Sequence, residues 1–194
     1  KSENIDENFF KPHYECEKCK DTGYINYKDK KTVMCNCLKQ KLIDISYNKS
    51  NLKNVQKENF NNFNDKIFSD KIDLKKYNMN ISPRENINNI KKACIGFINN
   101  FDNSDTKNLF FTGNTGLGKT YMTNCIANEL LKKGKTVLYQ TAPVLLENII
   151  NYKMSKQKDS QNNFYKSILE SDLLIIDDLG TESLNSMKLS ELFT

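Results

Sequence analysis

The chain reads as an α/β protein, a parallel sheet layered between helices, with a small cysteine-rich module ahead of it. Three observations predict this. Short apolar runs at 108–112, 136–140 and 172–177 alternate with segments of helical period, the order that βαβ units require. The first run flows into a glycine-rich stretch and a helix, and the last ends on paired aspartates. Four of the six cysteines crowd into residues 16–37.

Bulk composition bounds the answer. With 194 residues, 38% hydrophobic and 27% charged, there is room for one medium domain and a small module. The expected organisation is a module with an adjoining helix at 1–52, a linker rich in Asn, Lys and Phe at 53–81, and the main domain at 82–194. The longest apolar run, 173–176, is far short of the roughly twenty residues a membrane span needs. The first residues carry no charged-then-apolar leader pattern, so no membrane association and a cytoplasmic address are expected. A net charge of +5 suits nucleic-acid binding but decides nothing alone.

The cysteine cluster is Cys16-Glu-Lys-Cys19, a polar turn containing Asp21, Thr22 and Gly23, then Cys35-Asn-Cys37. Two close pairs facing each other across a hairpin through 24–33 can supply the four soft, tetrahedral ligands that Zn²⁺ takes. In a reducing compartment, paired cysteines more often hold metal than form disulfides. The one-residue gap of the second pair is tighter than the common two to four, which leaves His13 open as a substitute ligand. Free thiols and a redox pair are the alternatives. Residues 14–38 carry too few apolar side chains to fold alone, whereas structural zinc contributes on the order of 10 kcal/mol. A Lys-rich helix over 38–52 follows. Cys94 and Cys125 stand singly in helical patterns and read as core.

Ser82-Pro83-Arg84-Glu85 announces the next helix, with Ser82 as N-cap and Pro83 at the first position. Ile87, Ile90, Cys94, Phe97, Ile98 and Phe101 then draw one apolar stripe. The run at 108–112 ends in Gly113-Asn114-Thr115-Gly116-Leu117-Gly118-Lys119-Thr120, the P-loop pattern. Its glycines let backbone amides face a phosphate chain without side chains intervening. Lys119 is the candidate bridge to the β- and γ-phosphates, Thr120 the candidate Mg²⁺ ligand, and Tyr121 completes the binding stretch as the helix from 119 to 133 begins. ATP and Mg²⁺ are thus the expected cofactors. Gly134 stops that helix.

A strand at 136–140, a helix at 143–152, polar sequence at 153–163 and a short helix at 164–170 lead to Asp172-Leu-Leu-Ile-Ile-Asp177-Asp178. Four consecutive apolar residues suit a parallel strand buried on both faces, and open α/β sheets place ligands at the C-terminal ends of their strands. This is the Walker B pattern. Asp177 is the candidate for the Mg²⁺ shell and Asp178 for orienting or deprotonating water, which with Lys119 makes the catalytic set. The bland alternative is a helix cap or turn built on adjacent aspartates.

Taken together, Cys-x-x-Cys-x-Asp-Thr-Gly-Tyr ending in Cys-Asn-Cys-Leu, the capped Ser-Pro-Arg-Glu-Asn helix, the glycine loop and Asp-Leu-Leu-Ile-Ile-Asp-Asp-Leu-Gly-Thr-Glu resemble the DnaC/DnaI helicase-loader group. The resemblance covers nearly the whole chain. It implies an AAA+ ATPase with a three-layer parallel sheet, which binds the replicative hexameric helicase, places it on single-stranded DNA and uses ATP to control binding and release. It implies a sensor strand lying between the P-loop and Walker B strands, a trans-acting arginine and a helical lid, all later in sequence than Walker B. The domain is therefore expected to be incomplete at its C-terminus, with 186–193 a helix cut short, ATP hydrolysis weak, and self-association a property of a full-length chain. Most AAA+ proteins carry Glu where Asp178 stands; the loader group tolerates Asp.

The resemblance also places a helical insertion before Walker B, where Tyr152, Lys153, Lys156, Lys158, Phe164, Tyr165 and Lys166 interleave aromatics with lysines. Such a surface suits single strands. The alternative is a solvated helix face with its aromatics turned to the core. Two other functions remain open, an IstB-like transposition-associated ATPase, whose members usually lack a Cys-rich module, and a zinc-dependent binding module with a vestigial nucleotide site.

Overall fold

A computed structural model describes residues 12–27, 31–45, 57–154 and 159–181. Two strands, β1 (Tyr24–Asn26) and β2 (Thr32–Met34), form the expected antiparallel hairpin between the cysteine pairs. Helix α1 (Asn36–Ile43) follows at once. Expectations for 46–52, for Lys156 and Lys158, and for the helix at 186–193 fall outside the described residues.

Helix α2 is a single turn (Leu74–Tyr77), and α3 (Pro83–Asn99) begins as its sequence predicts, with the Glu85 N–H donating to Ser82 Oγ at 3.1 Å. The P-loop helix α4 (Lys119–Lys132) ends at Gly134, whose φ of +76° a side chain would resist. Strand β3 (Val137–Thr141), helix α5 (Ala142–Met154), helix α6 (Asp159–Glu170) and strand β4 (Leu173–Asp177) complete the order. Strands β3 and β4 pair in parallel, from Val137 opposite Leu173 to Thr141 opposite Asp177.

Alternation along β3 builds two faces. Val137 and Tyr139, with Ile175 of β4, pack against Ile87, Cys94 and Ile98 of α3 and Met122, Ile126, Ala127 and Leu130 of α4. Leu138 alternates to the other face and is fully buried, as are Leu145 and Leu146 of the adjoining α5. Helix, sheet and helix layers are therefore present, but among the described residues the parallel sheet has two strands.

The expected strand at 108–112 is the exception. It pairs with nothing among the described residues, and Phe110 stays 77% exposed. An extended segment becomes a strand only when a neighbour takes up its N–H and C=O groups, and β4 is bonded here on its β3 side alone.

The stretch expected as a linker is packed from Lys57 onward. Phe60, Phe63 and Phe68 lie against the core. Asn124 Nδ2 donates to Glu58 Oε2 at 2.5 Å, the Tyr121 hydroxyl to the Asn59 carbonyl at 3.1 Å, and Lys91 Nζ to the Phe60 carbonyl at 3.2 Å.

The cysteine module is docked as well. The Gln40 side-chain amide meets β3 as a neighbouring strand would. Its Nε2 donates to the Val137 carbonyl at 3.1 Å and its Oε1 accepts the Val137 N–H at 2.6 Å. Asn36 Nδ2 donates to the Gly134 carbonyl at 2.9 Å. One glutamine thus closes part of the open edge of β3.

Candidate nucleotide site and metal centre

The glycine loop adopts the backbone its sequence requires. Gly116 and Gly118 sit at φ +82° and +88°, where any side chain is strained. Helix α3 is capped by a serine hydroxyl, whereas α4 starts from Gly118 with no side-chain cap. The first-turn amides of α4 and the positive end of its dipole are therefore left for an anion. Lys119 Nζ folds back over the loop and donates to the carbonyls of Gly113 and Asn114 at 2.8 and 3.0 Å. Asn114, Thr115 and Leu117 are exposed around it. Tyr121 turns its ring away to Asn59 and Phe63, so its backbone, not its ring, is placed to serve the loop.

Residues 57 positions apart meet at the mouth of the loop, where Thr120 Oγ1 donates to Asp177 Oδ2 at 3.0 Å. The Asp178 N–H donates to Asp177 Oδ1 at 2.9 Å. The Tyr139 hydroxyl donates to Asp177 Oδ2, the oxygen that Thr120 also uses. Burial works against the Asp177 charge. Hydrogen bonds from Tyr139, the Asp178 amide and Thr120, with the nearby Lys119 charge, outweigh it and hold the carboxyl below its ordinary range. For Tyr139, burial comes first and the bond to Asp177 second, and both push the phenol well above its usual range.

Asp178 is exposed and stands at φ +54°, an uncommon conformation for a residue with a side chain. The Thr181 N–H and hydroxyl both donate to its carbonyl, at 3.2 and 2.7 Å, and fix the turn.

The four clustered cysteines converge. Their Sγ atoms all lie within 4.8 Å of one another, with Cys16 to Cys35 at 3.8 Å and Cys19 to Cys37 at 3.4 Å. Zinc–sulfur bonds of about 2.3 Å in a tetrahedron put sulfurs about 3.8 Å apart, so the donor set fits Zn²⁺. All are free thiols, far from the roughly 2.05 Å of a disulfide. His13 is exposed and outside this group.

The turn between the pairs is built by its sequence. Asp21 accepts the N–H groups of Glu15 and Cys16, and Thr22 donates to the Cys19 carbonyl at 2.6 Å. Gly23, at φ +77°, accepts from the Cys35 N–H at 2.8 Å and lies so close to Leu38 that a Cβ would come within 2.8 Å of it. The Cys19 backbone amide pulls the Cys16 thiol down to about 7, although burial opposes it. Burial first, then hydrogen bonds from the other thiols, push Cys37 up to about 12.

The aromatics proposed for DNA are spent differently. Tyr152 of α5 and Tyr165 of α6 stack on each other at 4.7 Å, and Phe164 is buried. Lys166 pairs with Glu170 at 3.7 Å, while Lys153 is exposed.

Sequence reasoning missed Tyr139 and Gln40. A tyrosine inside a buried strand does carry a signal, because its hydroxyl needs a partner. Alternation puts Tyr139 on the same face as Asp177, two residues beyond its register partner Ile175.

A glycine loop at an uncapped helix start, with its threonine against a strand-end aspartate, defines a P-loop nucleotide-binding protein. The family profile described as "IstB-like ATP binding protein" matches residues 37–194, so the chain belongs to the IstB-like ATP-binding family. It is also similar to proteins named "Chromosomal replication initiator protein DnaA". The protein of Buchnera aphidicola subsp. Cinara cedri (strain Cc) is 37% identical over 87 residues, 44% of this chain and 19% of the relative. That of Onion yellows phytoplasma (strain OY-M) is 30% identical over 140 residues, 64% of this chain and 26% of the relative. The chain therefore spans about a quarter or less of the length of these relatives. No solved structure matches it. No described helix is long and apolar enough to cross a membrane.

Proposed function

We propose that this chain is an ATP-controlled assembly factor of DNA replication, which holds a replicative hexameric helicase and delivers it to single-stranded DNA. The bond between Thr120 and Asp177 carries the nucleotide half, since it joins the two groups an Mg²⁺ ion on a triphosphate needs. The amides of 113–120 would take the phosphates, and Lys119 would exchange the Gly113 and Asn114 carbonyls for β- and γ-phosphate oxygens. Bound Mg²⁺ supplies neutralising charge there. Asp178 beside it is the group that would orient the attacking water. Cys16, Cys19, Cys35 and Cys37 would hold a structural Zn²⁺ that secures the module for partner binding.

Two observations support the replication half, the relatives named as replication initiators and a cysteine module whose first three ligands precede the matched family region. With both α5–α6 tyrosines engaged with each other, DNA contact rests on lysines such as Lys153. The family match favours a second reading, a transposition-associated ATPase.

Calorimetry with Mg²⁺–ATP tests the nucleotide half. Uptake by the wild type and none by Lys119→Ala supports it, and no uptake by either refutes it. Recovery of the tagged protein with its partners separates the two biological readings, a hexameric helicase supporting the loader and a transposase the alternative.

A further inference from the structure

The Tyr139 hydroxyl belongs to the same hydrogen-bonded group as the candidate metal ligands, yet no phosphate-loop or aspartate motif contains it. Three features single it out. The side chain is only 3% exposed, so its hydroxyl must find a partner inside the protein. That partner is Asp177 Oδ2, which also accepts the Thr120 hydroxyl at 3.0 Å. And Asp177 Oδ1 takes the Asp178 N–H at 2.9 Å, so both carboxylate oxygens are held, one by side chains of β3 and α4 and the other by the backbone just past β4.

Strand register explains why the ring reaches. Tyr139 lies opposite Ile175 in the β3–β4 ladder, and Asp177 is the next residue on that face of β4. A tyrosine leaning along the sheet spans that interval, whereas a phenylalanine fills the same space and offers no donor. Thr123 of α4, whose own hydroxyl donates to the Thr120 carbonyl at 2.9 Å, also interacts with the phenol. The hydroxyl is thus packed between the P-loop helix and the strand-end aspartate.

We propose that Tyr139 is a positioning residue for divalent-metal binding: its phenol fixes the Asp177 carboxylate in one orientation, so that Mg²⁺ on a bound nucleotide meets a preset acceptor. The inference rests on the nucleotide site proposed above. Donors that orient a metal-site carboxylate are worth roughly 10–100-fold in metal affinity. A purely structural role would instead change nucleotide binding with and without metal alike.

The test is an Mg²⁺ titration of wild type and Tyr139→Phe, each holding a fluorescent ATP analogue, beside nucleotide titrations in EDTA. Half-saturating Mg²⁺ rises about tenfold in the variant, while its metal-free nucleotide affinity stays within about twofold of wild type, less than the roughly 1.4 kcal/mol a tenfold change represents. Superimposable Mg²⁺ curves overturn the inference and leave the nucleotide site standing. Equal weakening with and without Mg²⁺ assigns the phenol to packing and overturns it too. A wild type with no Mg²⁺-linked uptake overturns the nucleotide site and this inference together. A readout that needs no variant covers poor folding of Tyr139→Phe: in nucleotide-bound wild type the Tyr139 ¹³Cζ resonance shifts on adding Mg²⁺, and a resonance that stays put refutes the role.

Discussion

Gln40→Ala withdraws two hydrogen bonds from a backbone that is fully buried at Val137. Removing one partner of a buried backbone group leaves a desolvation penalty of about 1–3 kcal/mol. The donor and acceptor are adjacent and the truncation leaves space for water, so about 2 kcal/mol is expected for the pair. For a chain of this size, that lowers Tm by about 4–8 °C. Thermal unfolding followed by circular dichroism, with and without a zinc chelator, measures it. If zinc holds α1 in place, chelation frees α1 from β3 by itself. The glutamine substitution then adds little in chelator, and the two perturbations are strongly non-additive. A Tm within about 1 °C of wild type, well below the shift expected for 1 kcal/mol, refutes the edge-sealing role. Additive losses refute the coupling to zinc.

Three other outcomes follow from the sites. Gly23→Ala forces a Cβ within 2.8 Å of Leu38 at a φ of +77°, so zinc affinity in competition with a chromogenic chelator falls about tenfold, the equivalent of roughly 1.4 kcal/mol of strain. Asp177→Asn keeps the side chain's size but removes the charge and turns one of two accepting oxygens into a donor, and calorimetry then finds Mg²⁺-linked nucleotide uptake weakened at least about tenfold. Because the folded Asp177 is held below its ordinary range, its charge and the stability it adds are in place above the unfolded value of about 4. Both are lost as pH falls through the lowered folded value, so the stability difference between nucleotide-free wild type and Asp177→Asn, read by thermal unfolding, stays flat from about pH 8 to 5 and changes only below about 4; a midpoint near neutral pH contradicts the shift.

What could be read from the sequence was encoded locally. The serine cap of α3, the glycine stop of α4 and the P-loop each depend on partners within a few residues, so spacing alone specifies them. The cysteine module is nearly as local. Its hairpin is short, and Asp21, Thr22 and Gly23 build the turn from backbone groups they can reach. Even Thr120 and Asp177, 57 positions apart, can be brought together from sequence, because each sits inside a motif of its own.

The features that escaped depend on distant partners without such motifs. Gln40 looks like one polar residue of a Lys-rich helix until the edge of β3, 97 positions away, gives its amide something to imitate. Tyr139 looks like strand filler until Asp177, 38 positions on, supplies an acceptor. The phenylalanines at 60, 63 and 68 carry no helical or strand period, so nothing local distinguishes a packed segment from a linker. The run at 108–112 failed in the opposite direction, since its composition suits a strand while strand formation needs a hydrogen-bonding neighbour. Gln40 and Tyr139 both converge on β3, one bonding its edge and the other extending from its buried face to Asp177. That five-residue strand therefore joins the cysteine module to the candidate metal site, a connection that exists only in the folded chain.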